Sequence, residues 1–333
     1  MAEIMTVTGA VDGAHLGTTL MHEHVFINLL REYRGTGLIQ DFPLMRSELD
    51  RYRDAGGVTL VDVTPAELTW GASPDPCGVY RAGGPAAASA EHTRAPDNVT
   101  ALFELSVATG VRIVLGTGHY RDPYLAYEGF DQRSVDATAD LLVRDLTEGF
   151  AGTRIRAGLI GEVGADQWFI SPREERNLRA SARACRRTNA AVTTHAARWP
   201  VGRQQLDLLL AEGVPPDRVV IGHCDTVNIP EYHLDLARSG CYVQFDTIRP
   251  GSEYALETRV AHVVSLIRAG FINRVLLSHD VCGRDHLQAY GGGGFSYLLQ
   301  HFAKRLLRTG LDPAELDHIL VENPRRALSG EAG

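Results

Sequence analysis

Thr18-Thr19-Leu20-Met21-His22-Glu23-His24 is the stretch from which the rest of the chain is read. Residues two apart on an extended strand share a face, so His22 and His24 direct both imidazoles at one target near the strand's end. That is a metal-ligand geometry. Its weight depends on whether other ligand types end other strands.

Upstream, residues 4–20 predict a short β-hairpin turning at Asp12-Gly13 and leading into the first buried strand. Downstream, apolar β-branched runs recur at 58–63, 111–115, 157–160, 191–194, 218–221, 242–245 and 274–277, which with the strand ending at His22 makes eight. Between them lie segments with helical spacing at 44–55, 135–146, 174–187, 203–212 and 256–269. Ser171-Pro172 opens one, and Gly213, Gly240 and Gly270 close others. Eight alternations predict a (β/α)8 TIM barrel, one domain over residues 1–333, rather than an open doubly wound sheet. A dinucleotide fingerprint fails, because Gly116-Thr117-Gly118 continues as His119-Tyr120-Arg121. Residues 64–98, rich in Ala, Gly and Pro, break the rhythm after the second strand and are read as a lid or subunit contact. Ala289-Tyr290-Gly291-Gly292-Gly293-Gly294-Phe295, after the eighth, predicts a close backbone approach.

Composition narrows the class of function. A formal charge of −8 and the absence of an arginine cluster argue against nucleic acid and for a small-molecule ligand. No eighteen-residue apolar run and no basic-then-apolar start occur, which argues against a membrane span or secretion and for a cytoplasmic protein. The five cysteines, Cys77, Cys185, Cys224, Cys241 and Cys282, are widely spaced without Cys-x-x-Cys, and read as reduced thiols.

In a barrel the chemistry sits where strands end. His22 and His24 end the first, Glu162 the fourth, His195 the fifth, His223 the sixth and Asp280 the eighth. Four imidazoles and two carboxylates suit two Zn²⁺-like ions, with Mn²⁺ or Co²⁺ as alternatives and one carboxylate bridging. Two ions about 3.5–4 Å apart share and ionise a hydroxide near neutral pH, which predicts a hydrolase. A carboxylate that touches both ion and hydroxide can take the proton and pass it to the leaving group, a role open to Asp280.

The chain resembles the phosphotriesterase-like branch of the amidohydrolase superfamily, most closely the bacterial phosphotriesterase homology protein subgroup. The matching stretches are Thr19–Glu23 with His24, Gly116-Thr117-Gly118-His119-Tyr120, Gly161-Glu162-Val163-Gly164, Thr193-Thr194-His195, Ile221-Gly222-His223-Cys224-Asp225, the run from Tyr242 to Ile248, Leu277-Ser278-His279-Asp280 and Glu322-Asn323-Pro324. The resemblance implies that His22, His24 and Asp280 hold a more buried ion and His195 and His223 a more exposed one. Many members bridge the ions with a carboxylated lysine. Here the sole lysine is Lys304, in a late helix, and Glu162 stands at the bridging position.

The resemblance also implies a substrate class of lactones, carboxylic esters, phosphoesters or N-acyl amides, with a lactone or carboxylic ester first, and sometimes a homodimer. Tyr120 matches a tyrosine that lactonase-like members set beside the exposed ion. Arg94, Arg198 and Arg284 follow strands two, five and eight and are candidates for an acidic substrate group. Trp199 and Tyr124 are candidates for an apolar wall, and Cys224 and Cys282 read as packing thiols. Two other readings compete: a TatD-type metal-dependent nuclease, which the acidic charge disfavours, and a non-catalytic metal-binding barrel.

Overall fold

Each apolar run forms a strand because its β-branched and aromatic residues suit a pleat buried on both faces. The computed structural model describes residues 3–69, 93–125 and 128–331. Its strands are β1 (Glu3–Thr6), β2 (Gly9–Asp12), β3 (Thr19–Glu23), β4 (Ile27–Asn28), β5 (Leu38–Ile39), β6 (Thr59–Asp62), β7 (Arg112–Thr117), β8 (Leu159–Gly164), β9 (Val192–His195), β10 (Val219–Ile221), β11 (Tyr242–Phe245) and β12 (Val275–Leu277). Eight of them run parallel in the order β3-β6-β7-β8-β9-β10-β11-β12, with helices between. This is the predicted barrel.

Side-chain alternation divides the core in two. Met21, Val61, Val63, Val114, Leu159, Val220, Tyr242 and Leu276 form an inner cluster that Ile4 and Leu16 of the N-terminal segment and Leu328 near the C-terminus also join. Leu20, Leu60, Ile113, Ile160, Val219, Val243 and Leu277 point the other way, into a cluster shared with helix residues such as Leu49, Leu102, Leu142 and Leu178. Burying each such side chain contributes about 1.5–3 kcal/mol.

The helices begin and end as the sequence signals. Helix Pro172–Thr188 opens on a capping box in which Ser171 and Glu174 exchange side-chain-to-backbone bonds, and Asn189 closes it in the left-handed region.

The hairpin departs from its expected turn. β1 pairs with β2 around Val7 and Thr8, where the Thr6 hydroxyl donates to the Gly9 carbonyl at 2.7 Å and Gly9 takes φ +116°. Asp12-Gly13 instead starts a short 3₁₀ turn, the Asp12 carboxylate accepting from the Ala14 N–H at 2.9 Å. The Thr-x-x-Gly turn outcompeted Asp-Gly because a threonine hydroxyl can satisfy the tight loop locally.

Of the stretch 64–98, residues 70–92 lie outside the described residues, and with them the reading of a lid or subunit contact. Its two ends are packed structure: Thr64, Glu67, Thr93, Arg94 and Asn98 are all buried. The glycine run after β12 folds on its own loop, since a Cβ on Gly292 would stand 2.2 Å from the His286 carbonyl oxygen.

Candidate metal centre

Two irregularities aim the ligands. Ile160 and Val163 both face the outer cluster although three positions apart, and the register of β8 against β9 slips between them. The extra residue turns Glu162 inward, where regular alternation after Ile160 would point it outward. Gly161 permits this at φ +121°, because a Cβ there would stand 2.2 Å from the Thr193 carbonyl oxygen. β3 slips likewise against β6 between Leu20 and Glu23, so Met21 fills the barrel while His22 and His24 reach its mouth. His223 and Asp280 follow their strands with φ of +56° and +53°, uncommon for residues with a side chain and the kind of strain found at functional sites.

Five of the six predicted ligands fall into shared groups, and the sixth, Asp280, adjoins one of them, His24. Glu162 Oε2 lies 3.4 Å from His22 Nε2, 3.1 Å from His195 Nδ1 and 3.3 Å from His223 Nε2. Glu162 Oε1 is 3.6 Å from His24 Nε2, which is 3.3 Å from Asp280 Oδ1. Ligands held at about 2.1 Å around a tetrahedral ion stand about 3.4 Å apart, so these separations are those of a coordination shell. His22 Nε2 is buried with no hydrogen-bond partner, which fits an atom whose partner is an ion. Residues His22, His24 and Glu162 form one group of potential ligands and Glu162, His195 and His223 another, sharing the glutamate, while a third joins His22 and His223 to Asp246.

Charge follows the same plan. Burial works against ionising Glu162, but the facing His22 and His195 outweigh it and hold its carboxyl well below the usual range. Burial likewise opposes charge on Asp280, and His24, His223 and Arg249 overcome it, so this carboxyl too lies far below its ordinary value. Burial and the neighbouring His223 push His195 down to about 3, leaving the neutral imidazole that an ion needs.

Behind the ligands stand residues that strand-end reading passed over. His24 Nδ1 meets the Thr64 hydroxyl at 2.9 Å. The Asp246 carboxylate accepts from His223 Nδ1 at 2.7 Å and lies 3.2 Å from His22 Nδ1. Glu23, between the two first-strand ligands and fully buried, accepts from the Ser278 hydroxyl, the His279 N–H and the Val281 N–H at 2.8, 2.8 and 2.9 Å, and meets His279 Nδ1 at 2.8 Å. The backbone residues so gripped include Asp280's neighbours on both sides. A signal existed: charged residues adjoining ligands on apolar strands are buried only when paired, and so have partners to find.

The pocket over this centre has a volume of about 180 Å³ and includes Tyr120, Arg121, Arg198, Arg249, Thr247 and Cys282 in its walls. The Tyr120 hydroxyl lies 3.3 Å from His195 Nδ1, on the predicted side. Arg198 is exposed in the wall, but two of the predicted arginines are elsewhere. Arg94 is fully buried, donating to Asp62 Oδ1 and to the carbonyls of Asp62 and Gly116, each at 2.8 Å. It is a brace between strands, since an arginine so far from water needs this many acceptors. Arg284 donates to the Leu38 carbonyl at 2.8 Å, outside the pocket wall.

Arg121 and Arg249, which sequence reading missed, occupy the wall instead. Arg121 is neutralised by Glu32 and Asp166. Trp199 is exposed outside the wall, and the Tyr124 ring lies tilted against that of Tyr120, centroids 5.2 Å apart. Cys224 is packed as expected, donating to the Ile221 carbonyl, whereas Cys282 reaches the pocket, its Sγ 3.7 Å from Asp280 Oδ2.

With the geometry in place, comparison with known proteins decides the family. The profile of the phosphotriesterase family matches residues 2–72 and 83–328. The chain belongs to the phosphotriesterase family. It is 38% identical over 227 residues, 68% of this chain and 77% of the relative, to the phosphotriesterase homology protein of Escherichia coli (strain K12). The crystal structure of that phosphotriesterase homology protein, complexed with phosphate in its active site, matches with a TM-score of 0.81 at 31% identity, covering 94% of this chain and 98% of that one. An N-acetyltaurine hydrolase of Salmo salar is 27% identical over 373 residues, covering 98% of each chain. A mutant of a PTE-like lactonase from Deinococcus radiodurans matches with a TM-score of 0.77 at 29% identity, covering 98% and 99%. This member of the phosphotriesterase family is a metal-dependent hydrolase. Among the described residues no helix is long and apolar enough to cross a membrane.

Proposed function

We propose that the chain hydrolyses a lactone or carboxylic ester of a small molecule at a two-ion centre, with zinc as the resident metal. The observation that carries this reading is the convergence of His22, His24, Glu162, His195, His223 and Asp280 beneath a pocket that Tyr120 overhangs. His22, His24 and Asp280 would hold one ion, His195 and His223 the other, and Glu162 both. Bound divalent ions supply Lewis acidity, making a water acidic and polarising the scissile carbonyl. The residues do the rest. Asp280 takes a proton at its carboxylate and returns it to the leaving oxygen. Tyr120, whose phenol burial and the Glu162 charge keep protonated, donates to the oxygen on which negative charge develops.

One observation favours a second substrate, an N-acyl amide with an anionic tail. The guanidinium of Arg198 has no carboxylate within salt-bridge reach among the described residues, nor has that of Arg249, and both line the pocket. A sulfonate such as that of N-acetyltaurine would pair with them, and the named relative makes this a direct comparison.

The test is a panel of lactones, aryl esters, N-acyl amino acids, N-acetyltaurine and phosphoesters. The expected result is chelator-sensitive turnover that Zn²⁺, Mn²⁺ or Co²⁺ restores, fastest on a lactone or ester, and lost in His22→Ala. Turnover that survives chelation, or that is confined to phosphoesters, overturns the first reading. A preference for N-acetyltaurine that disappears in Arg198→Ala establishes the second.

A further inference from the structure

Asp246, at the end of β11, lies behind the ligands and is fully buried. Its two oxygens serve two histidines. Oδ1 accepts from His223 Nδ1 at 2.7 Å, and Oδ2 lies 3.2 Å from His22 Nδ1. The opposite nitrogens of the same rings, His223 Nε2 and His22 Nε2, face one atom, Glu162 Oε2, at 3.3 and 3.4 Å. The two rings, centroids 4.8 Å apart, are therefore strung between a carboxylate in front and a carboxylate behind. In the two-ion reading these histidines belong to different ion sites.

Resting on that two-ion reading, we infer that Asp246 is a positioning residue common to both sites, fixing His22 and His223 in the tautomer with Nδ1 protonated so that each Nε2 lone pair faces an ion. The chemistry requires one such choice per ring: an imidazole that donates from one nitrogen presents the other as a ligand. Ordinarily each metal-bound histidine has its own acceptor, as His24 has Thr64. A shared acceptor means that one side chain governs two sites.

Asp246 is itself held in place, which is what makes it a fixed reference. The His223 N–H donates to both of its oxygens at 3.1 Å, and Gln244 Nε2 donates to Oδ2 at 2.7 Å. Gln244 Nε2, a donor, also lies 3.0 Å from His22 Nδ1, so a proton on that nitrogen has only the carboxylate of Asp246 as its acceptor, Oδ2 taking the amide and the ring side by side. No other carboxylate lies within salt-bridge distance of either Nδ1 among the described residues.

The experiment loads purified protein with Zn²⁺, counts ions per chain by elemental analysis, and measures release of each against a competing chelator. Asp246→Asn is expected to weaken both ions about 10–100-fold, the cost of losing an outer-shell partner of a ligand. Thr64→Val, which removes only the His24 partner, is expected to weaken one. Asp246→Asn that loosens a single ion, or neither, overturns the inference. Wild-type protein that never holds more than one ion overturns the two-ion reading itself.

Because Asp246→Asn could fail to fold, a second measurement uses the unmutated chain. In the Co²⁺-loaded protein the ring N–H protons of metal-bound histidines shift far from the protein envelope in proton NMR. Two slowly exchanging signals, assigned to His22 and His223, are expected from buried Nδ1–H groups on one carboxylate. Absence of either signal overturns the inference.

Discussion

Tyr120 shows how much one hydroxyl has to decide. Its N–H donates to Glu67 Oε2 at 2.9 Å, its carbonyl accepts from Asn177 at 3.0 Å, and its ring edge meets His195, so the phenol has one place to point. Replacing it by phenylalanine keeps the ring and removes the donor. The expected result is a fall in kcat of about 10²–10³-fold on carbonyl substrates with unchanged metal content, the usual loss when one transition-state donor goes. Unchanged kcat would return Tyr120 to a packing role. The arginines teach the opposite lesson about single residues. Nothing in their flanking sequence separates Arg94, buried against Asp62 and Gly116, from Arg198, exposed at the pocket, because both follow a strand and both adjoin small residues. What separates them is the three-dimensional supply of acceptors, which one-dimensional spacing does not encode.

At the scale of elements, the seam between β3 and β12 is bridged mainly by side chains. The strands share no ladder, and the joints are His22 N–H to Ser278 Oγ at 2.9 Å, Asp280 N–H to the His22 carbonyl at 3.2 Å and the four contacts of Glu23. Glu23→Gln turns one acceptor oxygen into a donor facing donors. The expected outcome is a loss of about 3 kcal/mol or more in urea unfolding, since bonds to a charged acceptor contribute roughly 1.5–3 kcal/mol each, together with weaker retention of the ion proposed to be held by Asp280. A variant as stable as wild type would show that the seam is held elsewhere.

The same elements explain what the sequence made legible. Strand ends were readable because a polar residue near the close of an apolar run is a local pattern: His195 ends β9, His22 and Glu162 lie just inside the ends of β3 and β8, and His223 and Asp280 lie just beyond β10 and β12. The slips in β3 and β8 that aim two of those ends were not, because a bulge is settled by the neighbouring strand. Glu23 and Asp246 escaped for a related reason: their partners lie 255 and 23 residues away. The Asp12-Gly13 turn was misread because two local solutions compete there and a threonine hydroxyl favours the other.

The molecule as a whole carries a pH-dependent strain outside its chemistry. Asp145, on helix Val135–Thr147, accepts from the hydroxyls of Thr93 and Thr117 and is fully buried, and that burial raises its carboxyl from 3.8 to about 6. The folded value exceeds the unfolded one, so folded protein binds the extra proton. Its contribution to stability is complete below pH 3.8 and is lost as pH rises to 6, by about 3 kcal/mol at about 1.4 kcal/mol per unit. Asp145→Asn carries no such charge. Its unfolding free energy relative to wild type is expected to rise between pH 4 and 6 and then level off, a difference that cancels effects common to both proteins. A flat difference would mean that Asp145 is solvated after all.

Glu162, proposed above to hold both ions, bears on how the enzyme matures. Where a family member must capture dissolved carbon dioxide on a lysine before its centre can fill, Glu162 arrives from the ribosome with its carboxylate in hand. Apoprotein supplied with Zn²⁺ is therefore expected to regain activity at one rate in degassed and in bicarbonate-rich buffer. A rate that climbs with bicarbonate would mean that another atmospheric adduct completes the centre.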